Sequence, residues 1–392
     1  MPLRPLVLLT TLLHAYIGLR LLPALAGLPL AWPLLGLALL VSAVTMPLPF
    51  VGMRSRRRQF ADVWKWIGLI SMGWFSSLLV LTVVRDAGLL LGWLGASVSG
   101  VTLDGARWQL WSAAAVPLMA SATSLVGLLN ARRTAGVVRI DVPIRDLPSA
   151  LSGFTIAQLS DIHVGPTIKR GYIQRIVNAV NGLGADMIAI TGDLVDGTVA
   201  ELRDHIAPLQ QLKARHGTFV VTGNHEYYAG AHAWIDELRR LGLRVLLNEH
   251  VVLQTRNVKG AQTDEEVLES ALLVAGVTDY TAGHFDAAHA SDPHGALADA
   301  PPLVHTRVLL AHQPRSAPEA AEAGYHLQLS GHTHGGQFFP WNLFVPLQQP
   351  FTAGLHKLHE MWVYTSRGTG YWGPPKRFGA PSEITLLRLL RA

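Results

Sequence analysis

The chain of 392 residues contains no cysteine, and only 15% of its residues are charged. The absence of cysteine excludes disulfide bonds, thiolate metal sites and a cysteine nucleophile. An ordinary soluble domain carries about 25% charged residues, whereas 49% of this chain is hydrophobic. The composition therefore excludes a plain soluble globular protein, and the length allows about two or three domains.

Acidic residues are scarce in the first third of the chain, where the positive charge is concentrated. Residues 1–138 contain eleven Lys/Arg and three Asp/Glu, a net charge of +8. The remaining residues carry 21 basic and 24 acidic side chains, a net charge of −3. A C-terminal part with this charge lacks the basic stripe of a protein that binds long nucleic acid. We therefore expect no nucleic-acid partner.

Four apolar runs in the N-terminal part approach or exceed the roughly 20 residues needed to cross a bilayer. A buried soluble helical domain is the alternative, but soluble helices show a polar face and these runs show almost none. We therefore expect a multi-helix transmembrane anchor over residues 1–133 with about four spans. The short, Gly-rich stretch Ala87–Val101 is interpreted as an interfacial segment or a loop. The four runs are Leu6–Gly27, Leu28–Phe50, Trp66–Val84 and Trp108–Leu129.

Basic residues flank these runs and predict the orientation in the membrane. If the chain crosses the membrane four times, all of the Lys/Arg clusters fall on one side. Because Lys and Arg are enriched in cytoplasmic loops, that side is predicted to be the cytoplasmic one. The C-terminal part would then be cytoplasmic, and a miscount by one span would move it to the outer side. His14 and Arg20 lie inside the first run and receive no role. The clusters contain Arg4, then Arg54, Arg56, Arg57 and Arg58, and then Arg132 and Arg133.

From about residue 137 the sequence alternates between short β-like runs and segments with helical periodicity. This alternation predicts an α/β domain with a mainly parallel core sheet, to which the later runs add antiparallel pairing. We assign residues 134–153 to a linker and first strand and residues 154–392 to the domain itself. The predicted strands are Val137–Val142, Phe154–Leu159, Asp186–Thr191, Gly217–Thr222, Arg244–Leu247, Ser270–Val277, Arg307–Ala311, His326–Ser330, Met361–Ser366 and Glu383–Leu390.

One long segment of this domain is predicted to be a mobile surface loop or lid, Gly283–Pro302. It contains His284, His289 and His294, which could bind a metal ion. No partner spacing supports such a site, so we interpret them as solvated loop histidines.

Polar side chains recur at the C-terminal ends of the predicted strands, where open α/β sheets place their functional sites. Each motif alone is a weak signal, but five in one order, each after a β-like run, are a strong one. Imidazole and carboxylate ligands together suit Mn, Fe, Zn or Co better than Mg, which prefers oxygen. The motifs are D-x-H with Asp161 and His163, G-D with Asp193, G-N-H-E with Asn224 and His225, A-H-Q-P with His312, and G-H-T-H-G-G-Q with His332 and His334.

This pattern resembles the calcineurin-like metallophosphoesterase superfamily over about residues 154–390. The later S-R-G-x-G sequence, Ser366–Gly370, makes it similar to the membrane-associated bacterial branch, and so to a multi-pass protein of the bacterial inner membrane. The resemblance implies a four-layer αββα sandwich preceded by the α-helical transmembrane region. It also implies two divalent metal ions and hydrolysis of phosphate esters by a metal-bridged hydroxide.

The resemblance implies a role for each motif residue. Asp161, His163 and His334 would bind the first metal, and Asn224, His312 and His332 the second, with Asp193 bridging both. His225 would contact the phosphate and protonate the leaving oxygen. Asp196 and Glu226 would orient ligands from outside the coordination sphere. Arg367 and Arg377 are candidates for contacting substrate phosphate.

An apolar run, Gln337–Pro346, follows the last ligand motif. It predicts either a wall for a lipid substrate or packing between the sheet and its connection. The first interpretation favours a mono- or diester that is lipid-linked, or a nucleotide–lipid pyrophosphate, at the bilayer surface. The alternatives are a membrane sensor or scaffold with a ligand-binding domain, a nuclease or cyclic-nucleotide phosphodiesterase, and a transporter. The intact ligand set disfavours the sensor or scaffold, and the net charge of −3 disfavours the nuclease. The small number of spans disfavours the transporter.

Overall fold

A computed structural model of the chain describes residues 3–51, 58–100, 104–254 and 263–392. The chain divides into two compact units. The first contains Met1–Asn130 and a short later segment, Gly373–Phe378. The second contains Ala131–Trp372 and Gly379–Ala392.

The first unit is helical. In its described part, three helices, α1, α4 and α5, are long and apolar enough to cross a membrane. Helix α2 has 15 residues and is about 22 Å long, less than the roughly 30 Å hydrocarbon core. Four crossings therefore remain a prediction. The helices are α1 Leu3–Leu21, α2 Ala31–Thr45, α3 Leu48–Val51, α4 Arg58–Ser99 and α5 Gly105–Arg132.

The interpretation of Ala87–Val101 as a loop is wrong as far as Ser99, because α4 continues through it without a break, and its alternative as an interfacial segment stays a prediction. Glycine costs about 1 kcal/mol relative to alanine in a helix, which made the Gly-rich sequence look like a breaker. Gly88, Gly92 and Gly95 follow helical spacing and share one helix face. The leucine residues in the rest of Ala87–Val101 favour a helix. Arg54, Arg56 and Arg57 of the orientation signal lie outside the described residues.

The ionisable residues of the first apolar run have partners within the helical unit. Arg20 contacts both carboxylate oxygens of Asp86, at 2.7 and 3.1 Å. Arg85 donates to the same carboxylate at 3.1 Å. The ring of His14 bridges the carbonyl oxygen of Thr10, at 2.7 Å, and the hydroxyl of Ser42, at 3.0 Å. These contacts give both residues a structural role, because polar groups in an apolar setting require partners.

The segment Gly373–Phe378 belongs to this unit through Lys376. Its ammonium donates to the carbonyl of Gly73 at 3.1 Å, to the hydroxyl of Ser124 at 3.0 Å and to the hydroxyl of Ser77. These three acceptors lie on α4 and α5. The sequence singled out only Arg377 of this segment, as a candidate phosphate contact, and did not place the segment with the helices.

The second unit contains two six-stranded sheets, ordered β1-β12-β2-β3-β4-β5 and β10-β11-β9-β8-β7-β6. Its strands are β1 Gly136–Ile144, β2 Thr155–Leu159, β3 Met187–Thr191, β4 Thr218–Val221, β5 Arg244–Val245, β6 Glu249–Leu253, β7 Leu272–Gly276, β8 Thr306–Leu310, β9 Leu327–Ser330, β10 Gly354–Leu358, β11 Met361–Thr365 and β12 Glu383–Arg391. Its helices are α6 Arg170–Asn181, α7 Val199–Ile206, α8 Asn224–Ala229, α9 Ala231–Arg240, α10 Asp264–Glu269 and α11 Ala317–Glu322.

Three apolar clusters show how these elements are layered. One joins the first sheet to α6, α7 and α9, and a second lies between the two sheets. The third joins the outer face of the second sheet to α11. The α/β prediction is confirmed, with helices on the outer faces of two facing sheets.

Strand pairing differs in part from the prediction. The later strands β7, β8, β9 and β11 pair in parallel with one another. Antiparallel pairing occurs between β12 and β2, β10 and β11, and β6 and β7. Strands β6 and β10 were not predicted, because charged and histidine residues interrupt their apolar patterns. Parallel strands dominate both sheets, so the carboxyl ends of neighbouring strands lie together at one edge of each.

Candidate metal centre

The sequence motifs come together at the carboxyl ends of five strands. Asp161 and His163 follow β2, Asp193 follows β3, and Asn224 and His225 begin α8 directly after β4. His312 follows β8, and His332 and His334 follow β9. The site thus draws residues from both sheets.

Five of the seven predicted ligands have left-handed backbone conformations. The φ angles are 52° at Asp161, 55° at His163, 53° at Asp193, 70° at His332 and 52° at His334. A non-glycine residue held in this region costs about 1–3 kcal/mol, and such strain concentrates at functional sites. The sharp turns redirect the chain after each strand so that the side chains point to a common centre.

One group of potential ligands contains Asp161, His163 and His334, all buried. The Nε2 atoms of the two histidines are 3.0 Å apart. Nε2 of His334 lies 3.4 Å from Oδ1 of Asp161. Two imidazole nitrogens and a carboxylate oxygen at these separations suit a single divalent cation.

A second group contains Asp193, His312 and His332. Nε2 of His312 lies 3.1 Å from Oδ2 of Asp193 and 3.2 Å from Nδ1 of His332. The same Oδ2 atom is 3.8 Å from Nε2 of His163 in the first group. Asp193 therefore lies where one carboxylate can serve both groups.

Asn224 provides a direct test of whether the site fits a cation. Its side chain is buried, and its Oδ1 has no hydrogen-bond partner among the described residues. An unsatisfied buried oxygen costs about 1–3 kcal/mol. An amide oxygen is a suitable ligand for a divalent cation, and coordination would satisfy it. The donor set therefore fits metal binding.

Glycines allow the ligand loops to approach one another. A side chain at Gly331 would place its Cβ 2.2 Å from Oδ2 of Asp161. A side chain at Gly223 would place its Cβ 2.2 Å from Oδ1 of Asp193. Both positions precede ligand residues, and any larger residue would displace the carboxylates.

Hydrogen bonds outside the ligand groups fix the side chains. Oδ1 of Asp196 lies 2.9 Å from Nδ1 of His163, and Nδ1 of His312 lies 2.7 Å from the carbonyl oxygen of Thr191. These contacts leave the Nε2 atoms directed at the centre. The Glu226 carboxylate accepts from the backbone N–H groups of Asp193, Leu194 and Gly223 at 3.0, 2.7 and 2.7 Å. It thereby joins the loops after β3 and β4.

Buried negative charge dominates the electrostatics of the site. Burial alone would lower the pKa of His163, but Asp196, Asp193 and Asp161 raise it to about 9. Burial also opposes protonation of His312, yet Asp193 raises its pKa well above the usual value. Burial, followed by repulsion from Asp193, raises the pKa of Glu226 to about 7. The site favours positive charge, which protons supply in the metal-free protein and divalent cations can supply instead.

His225 lies beside the two ligand groups and makes aromatic contacts. Its Nδ1 is 2.7 Å from Oδ1 of Asp196. Its ring centroid lies 4.7 Å from that of His163, 5.2 Å from that of Tyr228 and 5.8 Å from that of Trp372. Tyr228 was missed in the sequence, although it follows the G-N-H-E motif within the same helical turn. The partly exposed ring of His225 can reach a bound substrate.

The two arginine candidates have different positions. The aliphatic part of the Arg367 side chain lies beside Gly335, in the loop that carries His332 and His334. Its guanidinium contacts the carboxylate of Glu383 at 3.3 Å. Arg377 belongs to the helical unit, where its backbone N–H donates to Gly127 at 2.9 Å. Its side chain is fully buried there, so Arg377 is not retained as a substrate contact.

Comparisons with known proteins identify the family of the chain. A model of the calcineurin-like phosphoesterase family matches residues 154–336. The chain is 40% identical over 321 residues to a "Transmembrane protein with metallophosphoesterase domain" from Bos taurus, covering 80% of this chain and 70% of the relative. The same description applies to a Danio rerio relative that is 38% identical, with 70% and 62% coverage. An "Uncharacterized metallophosphoesterase" from Helicobacter pylori is 41% identical, with 60% and 59% coverage.

These relatives are vertebrate as well as bacterial, so a strictly bacterial branch is not shown. The similarity extends beyond the family-model match. It covers enough of the Bos taurus protein to identify the family. The chain belongs to the calcineurin-like metallophosphoesterase family and is a metal-dependent phosphoric ester hydrolase.

Proposed function

We propose that the chain is a membrane-anchored phosphoesterase with a dinuclear metal centre. Asp161, His163 and His334 hold one cation, Asn224, His312 and His332 hold the other, and Asp193 bridges the two. The observation that carries this proposal is that Oδ2 of Asp193 lies between the two ligand groups, 3.1 Å from Nε2 of His312 and 3.8 Å from Nε2 of His163. The buried Oδ1 of Asn224, which has no hydrogen-bond partner among the described residues, supports it. Mn, Fe, Zn or Co suits this donor set.

Two such cations, when bound, supply an activated water and offset the charge that develops on the phosphoryl oxygens during in-line displacement. The protein positions its own groups around that reaction. His225 donates a proton to the leaving oxygen, and Asp196 fixes its ring through Nδ1. Arg367, at the edge of the ligand loop, contacts the substrate phosphate.

We propose that the substrate is a phosphoester with a lipid portion, either a lipid-linked ester or a nucleotide–lipid pyrophosphate. The apolar run Gln337–Pro346 supports this, because most of its large apolar side chains are exposed, although Phe338 is buried. Within the run Leu343 is 62% exposed, and Leu347, directly after it, is 81% exposed. An exposed apolar surface of this kind fits acyl chains or a bilayer surface.

We propose a multi-pass protein of the bacterial inner membrane, with the phosphoesterase unit on the cytoplasmic side. The basic residues around the apolar runs support this orientation. A sensor or scaffold role is disfavoured because each predicted ligand is present. A nuclease is disfavoured by the net charge of −3 in residues 139–392.

The experiment that tests this function is a substrate comparison with the full chain in mixed micelles containing Mn²⁺. Aryl monoesters, aryl diesters and lipid-linked pyrophosphates are assayed together, with Asp193→Ala as the blank. We expect Asp193-dependent hydrolysis with preference for the lipid substrates. Equal turnover of soluble diesters would contradict the lipid proposal, and activity in the blank would contradict the assigned centre.

A further inference from the structure

A separate group of potential metal ligands lies outside the dinuclear site. It contains His232, at the start of α9, and Asp286 and His289, in the segment after β7. Their ligand atoms all lie within 4.8 Å of one another. We propose that these three side chains bind an additional divalent cation of the zinc type.

The separation between the ligand atoms of His232 and Asp286 is close to that of a tetrahedral site. Tetrahedral zinc ligands at about 2.0–2.2 Å from the metal are about 3.3–3.6 Å from one another. Nε2 of His232 lies 3.0 Å from Oδ2 of Asp286, and the ring centroids of His232 and His289 are 4.9 Å apart. Because the side chain of His232 is exposed, it can rotate to bring its ligand atom to the distance that a bound cation requires. Two imidazoles and one carboxylate leave a fourth position for water.

Hydrogen bonds orient the two loop ligands before any cation binds. Nδ1 of His289 lies 2.9 Å from the hydroxyl oxygen of Tyr227. With Nδ1–H donating to that oxygen, Nε2 is the ring nitrogen free to act as a ligand. Oδ1 of Asp286 accepts from the backbone N–H of Ala288 at 3.0 Å, which leaves Oδ2 toward His232. The hydroxyl of Thr278 donates to the carbonyl of His289 at 2.8 Å.

The proposed site adjoins the reaction centre through aromatic contacts. Phe285, which precedes Asp286, has its ring centroid 5.6 Å from that of Tyr228. Tyr228 in turn lies 5.2 Å from His225. A cation at the new site would therefore hold the segment 282–289 against the start of α9, which directly follows α8, the helix that carries His225.

Zinc content tests the proposal. The full chain in detergent is loaded with Zn²⁺, freed of excess metal and analysed for zinc per chain. We expect the double variant His232→Ala/Asp286→Asn to contain one equivalent less than the unmodified chain. The control His284→Ala, on the same loop but outside the group, should retain it. The difference of one equivalent does not depend on how many cations the dinuclear site holds, so failure here is distinct from failure of the proposed function.

A second variant gives a spectroscopic test that does not depend on loss of metal. Because the chain has no cysteine, His232→Cys introduces the only thiol. With Co²⁺ we expect a thiolate-to-cobalt charge-transfer band in the near ultraviolet for His232→Cys and none for the exposed control His284→Cys. Equal zinc content in the double variant and the unmodified chain, or no band in His232→Cys, would overturn the proposal.

Discussion

Oδ1 of Asp196 lies 2.7 Å from Nδ1 of His225, and the same atom lies 2.9 Å from Nδ1 of His163. One carboxylate oxygen thus orients both the proposed proton donor and a proposed metal ligand. Burial would raise the pKa of Asp196, but the two histidines lower it to about 2. The carboxylate therefore stays ionised at any pH at which the enzyme would work.

Replacing Asp196 with asparagine should impair both partners. We expect Asp196→Asn to lower kcat or metal affinity by about 10–100-fold, the usual cost of losing a group that orients a ligand. Because part of the effect acts through His225, the fold-loss in kcat should be smaller when His225→Ala is already present. Steady-state kinetics and metal content of the four proteins give the comparison. Fully additive losses would show that Asp196 does not act through His225.

Removing the proton donor should affect substrates according to their leaving groups. We expect His225→Ala to lower kcat by about 10²–10⁴-fold for alkyl leaving groups, the usual contribution of a general acid. The loss should be much smaller for p-nitrophenyl esters, whose leaving group needs no proton. Metal content should remain at the level of the unmodified protein, since His225 is not assigned as a ligand. Equal losses for both leaving groups would contradict the role.

Metal binding should release protons. The pKa of His163 is raised to about 9 in the metal-free site, so this ring is protonated at pH 7 and must lose its proton to bind a cation. Affinity for Mn²⁺ should therefore rise between pH 7 and pH 9, by about tenfold per pH unit for each proton released. Calorimetry in buffers of different ionisation enthalpy measures the release. His163→Ala should release fewer protons, and a flat pH profile would count against this account.

The unpartnered oxygen of Asn224 gives a prediction about stability. We expect Asn224→Ala to leave the metal-free protein no less stable, because it removes a buried oxygen that lacks a partner and costs about 1–3 kcal/mol. The stabilisation that Mn²⁺ gives the unmodified protein should be reduced. Thermal unfolding with and without Mn²⁺ measures both. A variant that Mn²⁺ stabilises as much as the unmodified protein would remove Asn224 from the ligand set.

The exposed apolar run should matter only for lipid substrates. We expect Leu343→Ser/Leu347→Ser, which changes one leucine of the run and the leucine directly after it, to lower kcat/KM for a lipid-linked ester by about 30-fold, since each leucine loses about 1 kcal/mol of apolar contact. Hydrolysis of a soluble aryl ester should not change. Tyr280→Ser, which alters another exposed apolar residue, is the matched control. An equal loss with both substrates would indicate a structural role for the run.

The positions of site residues that directly follow a strand in the sequence were the most predictable. A β-like run followed directly by Asp161, Asp193 or His312 indicates a strand end, because backbone alternation and burial leave a local signal. The parallel order of the strands then places these residues at one edge. The relation of Asp196 to His225 was anticipated only as a general orienting role.

Contacts between distant segments were not predictable in the same way. His232 and Asp286 are separated by more than fifty residues, so no spacing pattern joined them, and His289 was interpreted as a solvated loop residue. The same holds for Lys376, whose three partners lie far earlier in the chain. Residue patterns within one sequence indicate local periodicity, whereas these contacts depend on how the whole chain folds.

The segment Gly373–Phe378 has a consequence for how this chain can be divided. Lys376 is held by acceptors on α4 and α5, although the residues that flank the segment, up to Trp372 and from Gly379, belong to the second unit. A fragment beginning at Ala131 would leave that ammonium without these acceptors, and a fragment ending at Asn130 would lack the six residues that complete the helical unit. Neither unit corresponds to an uninterrupted stretch of sequence, so the two cannot be exchanged between proteins by joining genes at a single point.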